Sequence, residues 1–232
     1  VVWLGDGRPA VKKWLLGLLG ITVFAGLLSL FLFGAAGRFD LPFFQAYVAL
    51  IAATLLAAFA IPDDDLVKER RKPGPGGKDL TLRRDAIIVM ASHWMLAGFD
   101  VGRWHWSDTV PAWLQTTSLA GILAALSLSA WAVHTNRFFS SVARIQRDRG
   151  HHLVTGGPYR YIRHPGYAAA IGWFALSGVA LGSWISVLPA AAGGLYLFLR
   201  RLRVEEELLF AELEGYKEYA QRVPYRLLPG VW

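Results

Sequence analysis

The 232-residue sequence contains no cysteine, which excludes a disulfide framework, a thiolate metal centre and a cysteine nucleophile. Charge is also scarce. Charged residues make up 18% of the chain against 54% hydrophobic, and acids are outnumbered by bases, 17 to 24. The short amphipathic periods of a soluble fold are missing. Apolar residues come instead in long runs separated by basic loops, the pattern of a polytopic membrane protein. The net charge of +7 does not indicate a nucleic-acid partner, because 22 of the 24 Lys and Arg residues fall in alternate loops.

The runs define an all-α bundle of about six spans. The first is Trp14 to Ala36, too long for a signal-peptide core and read as an uncleaved anchor. Leu41 to Ile61 follows, with Gly17, Gly20 and Gly26 of the first span offering a close helix contact. The third, Asp85 to about Val101, is short and carries His93 and Asp100, polar groups that must face the bundle or a cavity. Ala112 to His134 is the fourth. Beyond Pro165 a 34-residue apolar run to Leu199 is too long for one crossing. Gly182-Ser183 divides it into a hairpin of Gly166–Leu181 and Trp184–Leu199. A polar, amphipathic C-terminal helix follows from Arg200. The N-terminus, the Pro62–Asp85 loop, the Thr135–Pro165 loop and the tail hold the 22 basic residues, so the positive-inside rule puts them on the cytoplasmic side. Asp63-Asp64-Asp65 lacks a second ligand cluster and reads as an ion-paired loop, so no metal site is expected.

The most informative stretch is Gly156-Gly157-Pro158-Tyr159-Arg160-Tyr161-Ile162-Arg163-His164-Pro165-Gly166-Tyr167. Its prolines fix φ and push Gly157 and His164 towards extended backbone. The result is a shaped, cationic, aromatic loop entering an apolar helix, suited to holding an anionic ligand at the membrane surface.

With Gly150-His151-His152-Leu153-Val154-Thr155 before it, this string resembles the isoprenylcysteine carboxyl methyltransferase superfamily, which includes phospholipid methyltransferases. Two further motifs appear in order: Arg203-Val204-Glu205-Glu206-Glu207-Leu208, then Gly215-Tyr216-Lys217-Glu218-Tyr219 through Arg226 and Pro229. The resemblance covers Asn136 to Trp232 and divides the chain into an N-terminal transmembrane region, 1–135, and a catalytic region, 136–232. It implies S-adenosyl-L-methionine as cofactor and a lipophilic methyl acceptor, an isoprenylcysteine-type carboxylate or an amino-phospholipid, met among membrane lipids. By position it implies cofactor contacts from Gln146, His151, His152, Leu153, Val154, Thr155, Tyr159, Arg163, His164, Pro165 and Tyr167, closed by Glu206 and Glu207. Arg203, one turn before Glu207, is implied to meet the acceptor and reaction centre, making Arg203 and Glu207 the catalytic pair. Gly166 stands where the family usually has a hydrophobic residue. With the compact chain, it resembles bacterial members and suggests a bacterial inner membrane. Two other readings compete, an NADPH-dependent membrane reductase of the sterol reductase type and a non-catalytic scaffold or transporter. The Glu205-Glu206-Glu207 run favours methyl transfer over the reductase.

Overall fold

The computed structural model describes residues 8–59 and 64–232. Part of the tri-aspartate, including Asp63, lies outside them. Helix α1, Arg8–Ser29, runs on through a π-helical turn, Leu30–Gly34. Helix α2 is Pro42–Phe59 and the short α3 is Asp64–Arg71. Helix α4, Leu82–Phe99, again passes into a π-helical turn, Asp100–Trp104. Helices α5, Ala112–Thr135, and α6, Pro165–Ala180, precede α7, Trp184–Glu212, and the short α8, Tyr216–Arg222. Among the described residues the only strand-like pairing is one antiparallel bridge between Lys78 and Ala143. Among the described residues three segments are long and apolar enough to cross a membrane, Trp14–Gly34, Ala112–Thr135 and Trp184–Glu212, and Pro42–Ala58 is a shorter apolar helix.

The α6–α7 hairpin turns where Gly182 and Ser183 were expected to turn it. Gly182 takes φ 77°, and the Ser183 hydroxyl accepts the Ser186 N–H at 3.2 Å, capping α7. The other end of α7 differs from the expectation. No boundary separates an apolar span from a polar tail helix, because Trp184–Glu212 is one uninterrupted helix of 29 residues. Arg200, Arg201 and Arg203 favour helix as much as the leucines before them, so polarity changes along this helix without ending it.

Buried polar groups tie the bundle together. His93, fully buried in α4, meets the Ser186 carbonyl at 3.1 Å and the Ser177 hydroxyl at 2.8 Å. Ser177 also meets the Tyr47 hydroxyl at 2.7 Å, which accepts from the indoles of Trp94 and Trp173. His93 is thus a satisfied bundle group linking α4, α6 and α7, and α2 joins through Tyr47. Asp100 accepts from Ser183 at 2.5 Å and from the Trp106 backbone at 3.1 Å.

Of the three glycines expected to make a close helix contact, Gly17 is buried and two are open. Gly20 and Gly26 have nothing within 4 Å of an added Cβ. A Cβ on Gly178 would stand 2.7 Å from the Val187 backbone, so α6 and α7 touch there main chain to main chain. Gly178→Ala should therefore lower the melting temperature of detergent-solubilised protein by several degrees, since overpacking costs about 1–3 kcal/mol. Gly26→Ala should leave it unchanged or raise it by roughly 0.5–1 kcal/mol in stability. Equal melting curves for the two variants would contradict this packing.

Candidate active site

At the polar end of the bundle, the 136–164 loop, the start of α6, the C-terminal half of α7, α8, Arg70 of α3 and Leu82 of α4 line a cavity of about 280 Å³. The loop's local chemistry shapes it. Pro158 opens a short 3₁₀ turn, Gly157–Arg160, and Pro165 opens α6, positions where a missing N–H costs nothing. Gly157 is not extended as expected. It takes φ 53°, and an added Cβ would lie 2.5 Å from the Thr135 hydroxyl. The loop is pressed against the end of α5, and only glycine combines that close approach with that conformation.

Gln146, His151, His152, Leu153, Val154, Tyr159, Arg163, His164, Pro165 and Tyr167 all line the cavity. Gln146 is buried and donates to the Phe138 carbonyl at 2.6 Å, and its carboxamide oxygen accepts from Arg149. Its backbone N–H points to His151 Nδ1 at 3.2 Å. Burial lowers the His151 pKa to about 4, so the imidazole is neutral at pH 7. The Phe138 ring lies 4.5 Å from that of His151 and 4.9 Å from that of His152. Tyr159 is fixed by the Tyr219 hydroxyl on its carbonyl at 2.8 Å, and Asn136 donates to its phenol at 3.3 Å. Thr155 is exposed and does not line the cavity.

The tail helix requires a correction. Arg203 and Glu207 are exposed and lie outside the cavity, whereas Arg201 and Glu205 line it. Both pairs have i,i+4 spacing, but they sit two residues apart, about 200° round the helix. The inner face carries Leu197, Arg201 and Leu208, all buried. Arg201 Nε donates to the Tyr167 hydroxyl at 3.1 Å and Nη1 to the Lys78 carbonyl at 3.1 Å. The Tyr167 hydroxyl also donates to Glu205, so Arg201, Tyr167 and Glu205 form one cluster. Glu206, expected to hold a ligand, is taken up by the protein. Its carboxylate accepts from Arg163 at 2.8 Å and Arg226 at 2.6 Å, with His164 at 3.3 Å. Tyr216 and Tyr219, from the third motif, are buried and line the cavity.

Residues before 135 also contribute, which nothing in the three motifs signalled. Glu69 of α3 accepts from Arg144 Nε at 2.9 Å and Nη2 at 2.7 Å, both side chains buried. Ser140 adds a bond to Glu69 at 2.8 Å, and Asp148 pairs with Arg144 at 2.7 Å. Arg149 reaches Asp65 at 2.6 Å. Among the described residues, no group of three or more His, Cys, Asp or Glu is arranged to hold a metal ion.

Arg144's hydrogen bonds hold the Glu69 carboxyl below its usual range. A depressed folded pKa means the pair stabilises at neutral pH and loses that contribution as pH falls through the folded value. Glu69→Gln should therefore cost about 1–3 kcal/mol at pH 7. The gap to wild type should begin to narrow as pH falls below about 4, the ordinary glutamate range, and close only below the depressed folded value. A gap that stays constant into acid would show that Glu69 acts by packing alone.

The isoprenylcysteine carboxyl methyltransferase (ICMT) family model matches residues 117–211. Protein-S-isoprenylcysteine O-methyltransferase B of Arabidopsis thaliana is 34% identical over 123 residues, 52% of this chain and 59% of that protein. The Schizosaccharomyces pombe enzyme is 30% identical over 112 residues, 47% and 48% of the two chains. The Homo sapiens enzyme is 32% identical over 120 residues, 48% and 40%. The chain thus spans about half the length of the curated relatives it matches. These relatives are eukaryotic and do not bear out the bacterial affiliation expected from the sequence. A solved eukaryotic intramembrane Ras methyltransferase, isoprenylcysteine carboxyl methyltransferase, superposes with a TM-score of 0.63 at 18% identity, covering 91% of this chain and 75% of that one. That is a likeness of fold, and with the apolar helices it makes this an integral membrane protein. The segment that matches the isoprenylcysteine carboxyl methyltransferase family model thus runs from within α5 to near the end of α7, where the loop, hairpin and tail helix build the cavity.

Proposed function

We propose that the protein is an S-adenosyl-L-methionine-dependent methyltransferase that esterifies the carboxylate of an S-isoprenylcysteine. One observation carries this reading. The cavity is polar at its loop end, with Gln146, His151 and His152, and reaches Ser129, Ala170 and Phe198 of α5, α6 and α7 at the other. A site shared by a water-borne, charged cofactor and a membrane-borne acceptor requires that gradient.

The donor set suits the cofactor. Glu205 offers a carboxylate to an ammonium group, the His151–Val154 segment offers backbone polar groups, and Tyr159 and Tyr167 offer ring faces. When bound, the cofactor supplies an electrophilic methyl group on a sulfonium, which a carboxylate accepts without proton transfer. The protein's part is therefore binding and alignment, with no general base. Arg201, fixed by Tyr167 and the Lys78 carbonyl on the cavity wall, orients the acceptor carboxylate. Glu206, with Arg163, His164 and Arg226, keeps the loop closed over the site.

In this reading six spans place the loops holding 22 basic residues on the cytoplasmic side. The packing supports a common side. Arg147 pairs with Glu212 and Arg200 with Asp79 at the cavity end, while Arg103 meets the Ala35 carbonyl elsewhere in the bundle.

Purified protein should bind S-adenosyl-L-methionine, show no NADPH affinity, and methylate S-farnesylcysteine in a membrane mimetic. Arg201→Lys should keep cofactor binding, which reports a folded site, while turnover falls at least about tenfold, a loss above 1.36 kcal/mol. Arg203→Ala should match wild type. The opposite pattern, an active Arg201→Lys and an inactive Arg203→Ala, would return the catalytic role to the outer pair. Absence of cofactor binding by wild type would remove the methyltransferase reading.

A further inference from the structure

Four arginines line the cavity: Arg70, Arg144, Arg163 and Arg201. Three have carboxylate partners. Arg144 pairs with Glu69 and Asp148, Arg163 with Glu206, and Arg201 approaches Glu205. Among the described residues Arg70 has none. Its guanidinium lies over the Phe139 ring at 5.3 Å, and Phe139 also lines the cavity. Crowding around that guanidinium and then repulsion from Arg83 both lower its pKa, although the residue keeps a solvent-accessible side.

The backbone holds Arg70 in place. The preceding residue is Glu69, buried against Arg144 and Ser140, and the Arg70 carbonyl itself accepts from the Ser141 hydroxyl at 3.2 Å. A solvated surface arginine needs no such anchorage. A cation fixed over an aromatic ring on a cavity wall, with its neighbours' charges matched and its own unmatched, is set up to take an anion from a ligand.

We propose that Arg70, from the N-terminal half and outside the family-matched segment 117–211, binds a ligand carboxylate in this cavity. The assignment rests on the methyltransferase reading above, in which both the cofactor and the acceptor carry that group. The planar guanidinium can take both oxygens of a carboxylate at once, whereas lysine at the same position offers only a point charge.

Calorimetry on full-length Arg70→Gln and Arg70→Lys in detergent tests this with two ligand pairs. S-adenosyl-L-methionine is compared with 5′-methylthioadenosine, which lacks the carboxylate, and S-farnesylcysteine with its methyl ester. In Arg70→Gln, one carboxylate ligand should lose affinity at least about tenfold while its carboxylate-free counterpart loses none. The affected pair identifies the source of the carboxylate. Arg70→Lys should fall between wild type and Arg70→Gln, and both variants should melt with wild type. Equal loss for both members of a pair, or no loss for either, overturns the proposal while leaving the functional reading intact. Wild-type protein that binds neither carboxylate ligand overturns the functional reading and this proposal with it.

Discussion

Glu206 is a carboxylate placed where water cannot reach it well, and the polar end of the molecule is arranged around that fact. Burying one unpaired charge would cost several kcal/mol, so it has to be met by cations with good geometry. Arg163 comes from the loop, His164 from the start of α6, and Arg226 from the C-terminal tail. Arg163 also donates to the Val223 and Pro224 carbonyls at 2.9 Å each, and its backbone N–H to the Tyr225 carbonyl at 3.0 Å. Solvating one carboxylate thus closes loop, helix and tail into a single wall, and leaves Glu205, its neighbour on α7, facing the cavity.

The same logic crosses the expected boundary between residues 135 and 136. Glu69 and Arg144 satisfy each other across 75 positions of sequence, and Lys78 pairs with Ala143 while its carbonyl holds Arg201. The cavity is therefore a joint product of both halves. Each half presents buried polar groups that only the other completes, so neither side has a full set of partners alone.

Much of the architecture was legible because it depends on local rules. Long apolar runs mark the helices, Gly182-Ser183 marks the hairpin turn, and two prolines mark the loop's exits. The loop's wall residues followed from motifs contiguous in sequence. Other features depend on quantities a linear pattern does not carry. Arg201–Glu205 and Arg203–Glu207 satisfy the same spacing, and only the burial of Leu197 and Leu208 shows which face turns inward. Gly178 looks no different from Gly26 until Val187 lies beside it. The end of α7 was misplaced because a change from apolar to polar was taken for a change of element. Arg70 was grouped with a solvated basic loop, since nothing local reveals that a neighbouring glutamate is committed elsewhere.

The unbroken α7 makes the protein a gauge of bilayer thickness. Trp184, partly exposed at one end of the helix, and Arg201, buried at the cavity, lie on one helix whose backbone ladder lacks the N–H of Pro189. At 1.5 Å per residue their separation along the axis is about 26 Å, close to the roughly 30 Å of a hydrocarbon core. A rod of that length fixes the cluster's depth relative to the far interface. A thicker bilayer would draw Arg201 towards the lipid, and a thinner one would lift it towards water. Pro189, in the second turn, is the point where the helix can bend, and tilt or deformation of the surrounding lipid takes up the rest of the mismatch.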